Sequence, residues 1–238
     1  MRELQVSTIT EAVAQLAKQA NCYLPQDVYE AFQKARDNEP SPSGQEILGQ
    51  LLENADIARN EDMPICQDTG LAIVFVDVGQ DVHLAGGALD EAIHAGVAKG
   101  YVEYYLRKSA VAEPLFDRTN TKNNTPAVIH TRIVPGDKVK IKLAPKGAGS
   151  ENKSALKMMV PADGVAGVKK FVVEVVKAAG SNSCPPMVVG VGIGGTMEMA
   201  AICAKRAAAR DIESRNVDPR YAALEEELLT LINKTGIG

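Results

Sequence analysis

An apolar run at residues 71–78 (LAIVFVDV), in which Asp77 is the one polar residue, limits most strongly which folds are open to this chain. The run is short, rich in β-branched residues and bounded by glycines, which is typical of a buried strand. Residues 1–60 instead place apolar side chains three and four positions apart, a helical pattern. The sequence therefore predicts a mixed α/β fold in one domain, with a helical lead over 1–60 and a mixed α/β core over 61–238.

The same patterns predict the remaining elements. Helices are expected over residues 9–20, 24–36, 44–58, 88–106, 165–179, 197–209 and 221–233. Further strands are expected over 127–134 and 138–143, and a strand followed by a turn over 187–196. Pro135, Gly136 and Asp137 form a turn signal that would join the middle two strands as a hairpin. Residues 41–43 (SPS) are expected to supply a loop and a cap for the third helix.

Two cysteines, Cys66 and Cys184, lie in turn-forming segments rather than on the apolar face of a helix. Residues 63–70 read MPICQDTG and residues 181–186 read SNSCPP. Proline, glycine and small polar residues turn the chain sharply and expose backbone N–H groups, so each thiol is a candidate ligand or nucleophile. No CxxC pair or Cys/His cluster predicts a structural zinc site.

Composition excludes several classes of function. The formal charge of −4 argues against a surface that binds nucleic acid or anionic lipid. No apolar run reaches the roughly 20 residues that span a bilayer, and no secretory signal precedes the first helix. Four cysteines in 238 residues are too few for a disulfide framework. A cytoplasmic protein with reduced thiols is expected.

The glycines of residues 190–195 (GVGIGG) suggest a nucleotide-binding alternative. Gly190, Gly192 and Gly195 fit the GxGxxG pattern between a predicted strand and a predicted helix, and Glu213 is a candidate ribose-binding acid. A Rossmann unit places that acid on a second strand, whereas residues 216–220 predict a loop before another helix. The weaker prediction that remains is backbone N–H groups close to an anion.

Four segments together carry a resemblance to one family. They are residues 63–70, 123–130 (NNTPAVIH), 145–152 (PKGAGSEN) and 190–198. In this order, they resemble successive motifs of the alpha part of class I fumarate hydratases and of the related L-tartrate dehydratases. The resemblance spans the whole chain. It implies an oxygen-sensitive hydro-lyase alpha subunit with a [4Fe-4S] cluster, at which the cysteine-bearing loops converge.

The resemblance also implies how the cluster is held. Three cysteines bind it in the family, one iron stays open to substrate, and Cys66 and Cys184 match the first two ligands. The third lies in a segment that normally follows residues 231–238, so the family's C-terminal segment is expected to be absent here. Cys22 belongs to a helix end, and Cys203, in an alanine-rich helix, is expected to be buried. The chain alone is therefore expected to hold no complete cluster.

Asp68 and Gln67 are the candidates for chemistry beside the cluster. Loss of water from a 2-hydroxy acid needs a base for a weakly acidic proton and a Lewis acid for the departing hydroxide. Asp68, two residues beyond Cys66, suits an acid/base or substrate-orienting role, or it merely caps a turn. Gln67 is expected to bind a substrate carboxylate, or the backbone instead.

A dicarboxylate substrate also requires cations. By the resemblance, Arg107 grips substrate, which suits guanidinium geometry, and Gly149 lets the backbone approach it. Without the resemblance, Arg107 would be interpreted as a solvated residue at a helix end, and Gly149 as a turn glycine. Lys153 either adds charge or faces solvent. The three histidines, His83, His94 and His130, are expected to be structural.

Three hypotheses follow for the whole chain. The first is a fumarate hydratase alpha subunit, with L-tartrate dehydratase as the alternative substrate assignment. It requires a beta subunit that supplies further substrate-binding residues, and it is expected to form a homo-oligomer as well. The second is a nucleotide-binding domain centred on residues 190–195. The third is a non-catalytic module whose exposed apolar surface mediates assembly.

Overall fold

The computed structural model describes residues 1–184 and 186–237. They form two compact units, Met1–Gly147 and Ala148–Gly238. Helices and strands are mixed, which confirms the predicted fold class. The assignment of residues 1–238 to a single domain stays a prediction. No helix in these residues is both long and apolar enough to span a lipid bilayer.

The first unit contains four helices and five strands. In chain order they are β1 (Arg2–Gln5), α1 (Val6–Cys22), α2 (Gln26–Asn38), α3 (Pro42–Glu61), β2 (Leu71–Gly79), β3 (Val82–Ala85), α4 (Leu89–Glu103), β4 (Val128–Val134) and β5 (Val139–Lys146). Each helix predicted in this region is present. The cap expected from residues 41–43 is Ser41, whose hydroxyl accepts a hydrogen bond from the Gly44 N–H at 3.4 Å. The short strands β1 and β3, which pair in parallel, escaped prediction.

The larger sheet has the strand order β4-β2-β5. Strand β2 pairs in parallel with β4 and antiparallel with β5, so the predicted hairpin between the last two strands is wrong. Residues 72–76 of β2 are all buried, and a strand covered on both faces takes the centre of a sheet. The connection from β4 to β5 crosses the end of β2, where Gly79 donates its N–H to the Lys138 carbonyl.

Helices α1 and α4 pack closely beside this sheet. A side chain at Gly96 of α4 would lie 2.6 Å from the Thr10 carbonyl oxygen, and one at Gly100 would lie 2.9 Å from that of Ala14. Glycines four residues apart therefore bring the two helix backbones together. Fully buried side chains of β2, α1 and α4 form the core of this unit, including Val74, Val76, Val13, Ile93, Val97 and Tyr101.

The second unit contains only helices among its described residues. The α-helices are α5 (Ala148–Glu151), α6 (Gly164–Ala179), α7 (Met197–Ala208) and α8 (Pro219–Asn233), and short 3-10 helices cover Pro161–Asp163 and Gly180–Ser183. The strand predicted within 187–196 is wrong. A side chain at Gly190 would lie 2.1 Å from the Ala204 carbonyl oxygen, and one at Gly192 would lie 2.0 Å from that of Ala200. The glycines therefore place this segment against the backbone of α7, where it pairs with no strand of the described residues.

Candidate active site

The loop over residues 62–70 connects α3 to β2 and carries Cys66. Asp62 ends α3 with a left-handed φ of 55°, and its carboxylate accepts hydrogen bonds from Lys18 Nζ at 2.8 Å and from the Tyr23 hydroxyl. Ile65 donates its N–H to the Asn21 carbonyl at 2.9 Å. The first half of the loop is thus fixed to the end of α1.

Cys66 lies exposed at the turn of this loop. Its sulfur accepts a hydrogen bond from the Asp68 N–H at 3.4 Å, and its thiol donates to Gln67 Oε1 at 3.3 Å. A sulfur that receives an N–H and is open to solvent has the surroundings of a ligand cysteine rather than those of an inert buried thiol. Cys66 is therefore suited to metal or cluster binding.

Asp68 caps a turn, which is the alternative role expected for this residue. Its Oδ1 accepts a hydrogen bond from the Gly70 N–H at 3.0 Å, which is an Asx turn. Oδ2 accepts no hydrogen bond from the residues that the structure describes. The same carboxylate can therefore hold the turn with one oxygen and present the other to a reacting group two residues beyond Cys66.

The last two residues of the loop are buried. Gly70 has a φ of 67°, and a side chain there would lie 2.6 Å from the backbone nitrogen of Lys146 in β5, so glycine is required twice over. The Tyr101 hydroxyl donates to the carbonyls of Thr69 at 2.7 Å and Gly70 at 3.2 Å. Asn124 Nδ2 also donates to the Gly70 carbonyl, at 3.0 Å.

Arg107 lies next to this loop. Helix α4 ends at Glu103, three residues before the predicted end, and Tyr105 adopts a left-handed φ of 56°. The chain turns there, and the Arg107 carbonyl accepts a hydrogen bond from Thr69 Oγ1 at 3.0 Å. Arg107 is exposed. The structure thus brings Cys66, Asp68 and Arg107 to one region. That Arg107 binds substrate stays a prediction.

Gly149 lies beside the turn that precedes Cys184 in the second unit. Gly149 lies exposed in the short helix α5, and a side chain there would meet the Asn182 carbonyl oxygen at 3.7 Å, two residues before Cys184. Its φ is not positive, so the turn itself does not require glycine. Glu151 at the end of α5 pairs with Lys205 of α7, which anchors this segment. Lys153 is half-buried and donates its N–H to the Ser150 carbonyl.

Cys184 is exposed and has an unusual backbone. Its φ of 55° lies in the left-handed region, which a residue with a side chain adopts at a cost. It follows a 3-10 turn at Gly180–Ser183, and its N–H bonds to the Ser181 carbonyl at 3.3 Å. Strain of this kind accumulates at functional sites, which agrees with a ligand role.

The two spare cysteines differ from each other. Cys22 ends α1 and is 1% exposed, and burial raises the pKa of its thiol. Cys203 is exposed, so its predicted burial is wrong. The alanines of α7 do pack, but they pack through the face at Ala200 and Ala204 that meets the glycine segment, and Cys203 lies off that face.

The histidines occupy structural positions. His94, on α4, accepts a hydrogen bond from the Ala127 N–H through Nδ1 at 3.2 Å. His130, on β4, stacks on Phe75 with ring centroids 5.2 Å apart. His83 lies on β3. No three side chains of the His, Cys, Asp or Glu type come together as a metal site within the described parts of the chain.

Tyr101 makes the stability of the fold sensitive to alkaline pH. Burial raises the pKa of Tyr101 to about 12, from an ordinary value of 10.0. The folded protein favours the neutral phenol. The contribution of Tyr101 to the free energy of unfolding is therefore fully present below pH 10.0 and is lost as the pH rises to about 12. This shift corresponds to roughly 3 kcal/mol in the free energy of unfolding.

We expect Tyr101→Phe to lack this alkaline component. Urea unfolding followed up to about pH 12 should show a smaller loss of stability in this variant than in the wild type. Tyr104→Phe, a matched change one residue beyond α4, retains Tyr101 and should therefore retain its contribution. Equal alkaline losses in the wild type and Tyr101→Phe would contradict the prediction.

Comparison with known proteins shows which family the chain resembles along its length. The family model described as "Fumarate hydratase (Fumerase)" matches residues 10–238. The "Putative L(+)-tartrate dehydratase subunit alpha" of Methanocaldococcus jannaschii is 42% identical over 235 residues, covering 97% of this chain and 82% of that protein. The "L(+)-tartrate dehydratase subunit alpha" of Escherichia coli K12 is 34% identical over 241 residues, covering 100% of this chain and 78% of that one. The chain therefore belongs to the fumarate hydratase (fumerase) family.

Proposed function

We propose that the chain is the alpha subunit of an iron–sulfur hydro-lyase that interconverts fumarate and L-malate. The observation that carries this proposal is the loop at residues 66–70. It holds an exposed thiol, a carboxylate whose Oδ2 accepts no hydrogen bond from the described residues, and a hydrogen bond to the Arg107 backbone. The family assignment and the chemistry of these groups support the same reaction class.

The donor groups fit a [4Fe-4S] cluster. Cys66 and Cys184 are both exposed thiols, and thiolates are the ligands of such clusters. The N–H of Asp68 that points at the Cys66 sulfur would stabilise the ligand's negative charge. When bound, the cluster supplies a Lewis acid for the departing hydroxyl. In our proposal, Cys66 and Cys184 are two of the cysteines that hold it.

The remaining groups would bind and orient the substrate. Arg107 would hold one carboxylate through its guanidinium, Gly149 would allow the backbone to approach, and Gln67 would donate to a carboxylate oxygen. Asp68, through Oδ2, would exchange the proton at the carbon next to the second carboxylate. In the hydration direction that carbon gains the proton while the neighbouring carbon gains the hydroxyl, so the elements of one water are added.

A beta subunit and a further copy of this chain complete the proposed assembly. Relatives are named alpha subunits, which supports a partner subunit. A second carboxylate requires a second cation, and the partner would provide it. A cytoplasmic location with reduced thiols is part of the proposal. The nucleotide-binding alternative loses its geometric basis because no strand of the described residues leads into the glycines.

L-Tartrate dehydration is the second candidate, and the names of the relatives favour it. Both reactions remove water from a 2-hydroxy dicarboxylate, so the same groups serve either. We expect the anaerobically purified enzyme with its beta subunit to have a kcat/KM for fumarate at least about tenfold above that for L-tartrate. The reverse order would identify a tartrate dehydratase, and activity on neither would contradict the proposed reaction class.

A further inference from the structure

Buried polar groups gather at the loop that carries Cys66. In the described part of the chain, three polar residues are buried: Asn21, Thr69 and Asn124, which are 7%, 1% and 0% exposed. Thr69 belongs to the loop, Asn124 donates to the Gly70 carbonyl, and the Asn21 carbonyl accepts the Ile65 N–H. The rest of the core is apolar, so its polar exceptions surround a single segment.

Asn124 joins this loop to the segment that follows Arg107. Its Nδ2 donates to the Gly70 carbonyl at 3.0 Å, while its Oδ1 accepts from the N–H groups of Ser109 at 2.7 Å and Ala110 at 3.2 Å. The residue has a left-handed φ of 61°, a conformation that asparagine tolerates better than most residues. One side-chain amide thus spans the two segments.

Thr69 provides a second connection between the same two segments. Its hydroxyl donates to the Arg107 carbonyl at 3.0 Å. Its own carbonyl accepts the Tyr101 hydroxyl at 2.7 Å, so the threonine is held from the opposite side by α4. The two connections use different groups, since one uses the Thr69 hydroxyl and the other uses the Gly70 carbonyl.

Stability alone gives no reason for polar side chains at these positions. A buried polar group gives up its hydration, and well-packed apolar residues often stabilise a core as well or better. A fully bonded buried network instead fixes one arrangement of the segments that it joins, because every alternative leaves a donor or acceptor without a partner. Sites that need sub-ångström placement are supported in this way.

We infer that Asn124 and Thr69 are positioning residues that hold the Cys66–Asp68 turn at a fixed place relative to the Arg107 segment. In this role they act through the backbone, at the carbonyls of Gly70 and Arg107. The fixed geometry is a statement about the chain itself. Its consequence for catalysis rests on the proposed function, in which the thiolate, the carboxylate and the guanidinium act on one molecule.

Hydrogen–deuterium exchange of the full chain tests the geometry directly. Asn124→Asp is nearly isosteric and tolerates the same backbone, but it points an oxygen instead of an N–H donor at the Gly70 carbonyl. Thr69→Val removes only the hydroxyl, and Thr69→Ser retains it. We expect exchange over residues 65–71 and 105–111 to accelerate about tenfold in Asn124→Asp and Thr69→Val, because each removes a hydrogen bond that joins the two segments.

Two internal references separate positioning from general destabilisation. Peptides of β2 beyond residue 71 should exchange at the wild-type rate, and Thr69→Ser should stay within about twofold of wild type throughout. Uniform acceleration that includes β2 would overturn the inference in favour of a purely structural role. Unchanged exchange over both segments in Asn124→Asp and Thr69→Val would overturn it as well.

Kinetics on the assembled enzyme then test the catalytic consequence. Thr69→Val should raise the KM for the dicarboxylate about tenfold, and Thr69→Ser should restore it, because Arg107 would be displaced only in the former. A wild-type KM in Thr69→Val would overturn this consequence. An inactive wild-type enzyme would instead contradict the proposed function, while the exchange result would still decide whether the two residues fix the loop.

Discussion

Cys66→Ala and Cys184→Ala are each expected to reduce the iron and sulfide retained after anaerobic reconstitution below about a tenth of the wild-type level. Each variant removes a thiolate that we propose as a ligand, and a cluster with one coordinating thiolate fewer is lost readily. Loss of the visible absorbance and of hydro-lyase activity should accompany the loss of iron. The measurement is iron and sulfide counting on the complete chain with its partner subunit.

Cys203→Ala is the matched control for this comparison. Its thiol is exposed like those of Cys66 and Cys184, so it carries the same risk of adventitious iron binding. We expect the wild-type iron content in this variant, because Cys203 lies on the regular helix α7 and not in a ligand turn. Equal losses in all three variants would show that exposed thiols bind iron indiscriminately, and retention in all three would exclude both proposed ligands.

Apolar periodicity is sufficient to locate most of the fold. The helices α1, α3 and α6 lie where spacing at three and four predicts them, and the apolar run at residues 71–78 is the central strand β2. What periodicity does not contain is pairing. β4 and β5 are consecutive and separated by a turn signal, yet each pairs with β2. A strand buried on both faces lies at the centre of a sheet, where the backbone N–H and C=O groups along both of its edges need partners.

Glycine spacing is the second source of error. Gly190 and Gly192 alternate with apolar residues as they would in a strand, whereas the structure uses them for close approach to the backbone of α7. Sequence alone does not distinguish a glycine that relaxes a strand from one that admits a neighbouring backbone. The exposure of Cys203 follows from the same packing, since the alanine face of α7 meets this segment.

Some residues of the candidate site can be selected from the sequence and others cannot. Cys66, Asp68 and Arg107 can be selected from the sequence because their residue types carry chemistry, and the hydrogen bond from Thr69 to the Arg107 carbonyl brings them together. Tyr101 and Asn124 escape such selection. A tyrosine on the buried face of a helix has the pattern of a core aromatic, and only the structure places its hydroxyl on two carbonyls of the loop.

Asp68→Asn is the change that separates the two roles of this carboxylate. Asparagine keeps an Oδ1 that can accept the Gly70 N–H, so the Asx turn and the position of Cys66 should survive. It cannot exchange a proton, and we therefore expect kcat to fall about 10²- to 10⁴-fold with iron content unchanged. Steady-state hydration of fumarate, with iron counting on the same preparation, measures both quantities.

Asp68→Ala completes the comparison, because it removes the turn acceptor together with the acid. If Asp68 acts as acid or base, both variants lose activity to a similar extent, and only alanine disturbs the cysteine loop and its iron. If the carboxylate serves only to form the turn, the kcat of Asp68→Asn should stay within about threefold of wild type, while Asp68→Ala loses activity. That second outcome would move the search for the proton-transfer group away from this chain's loop and toward the partner subunit.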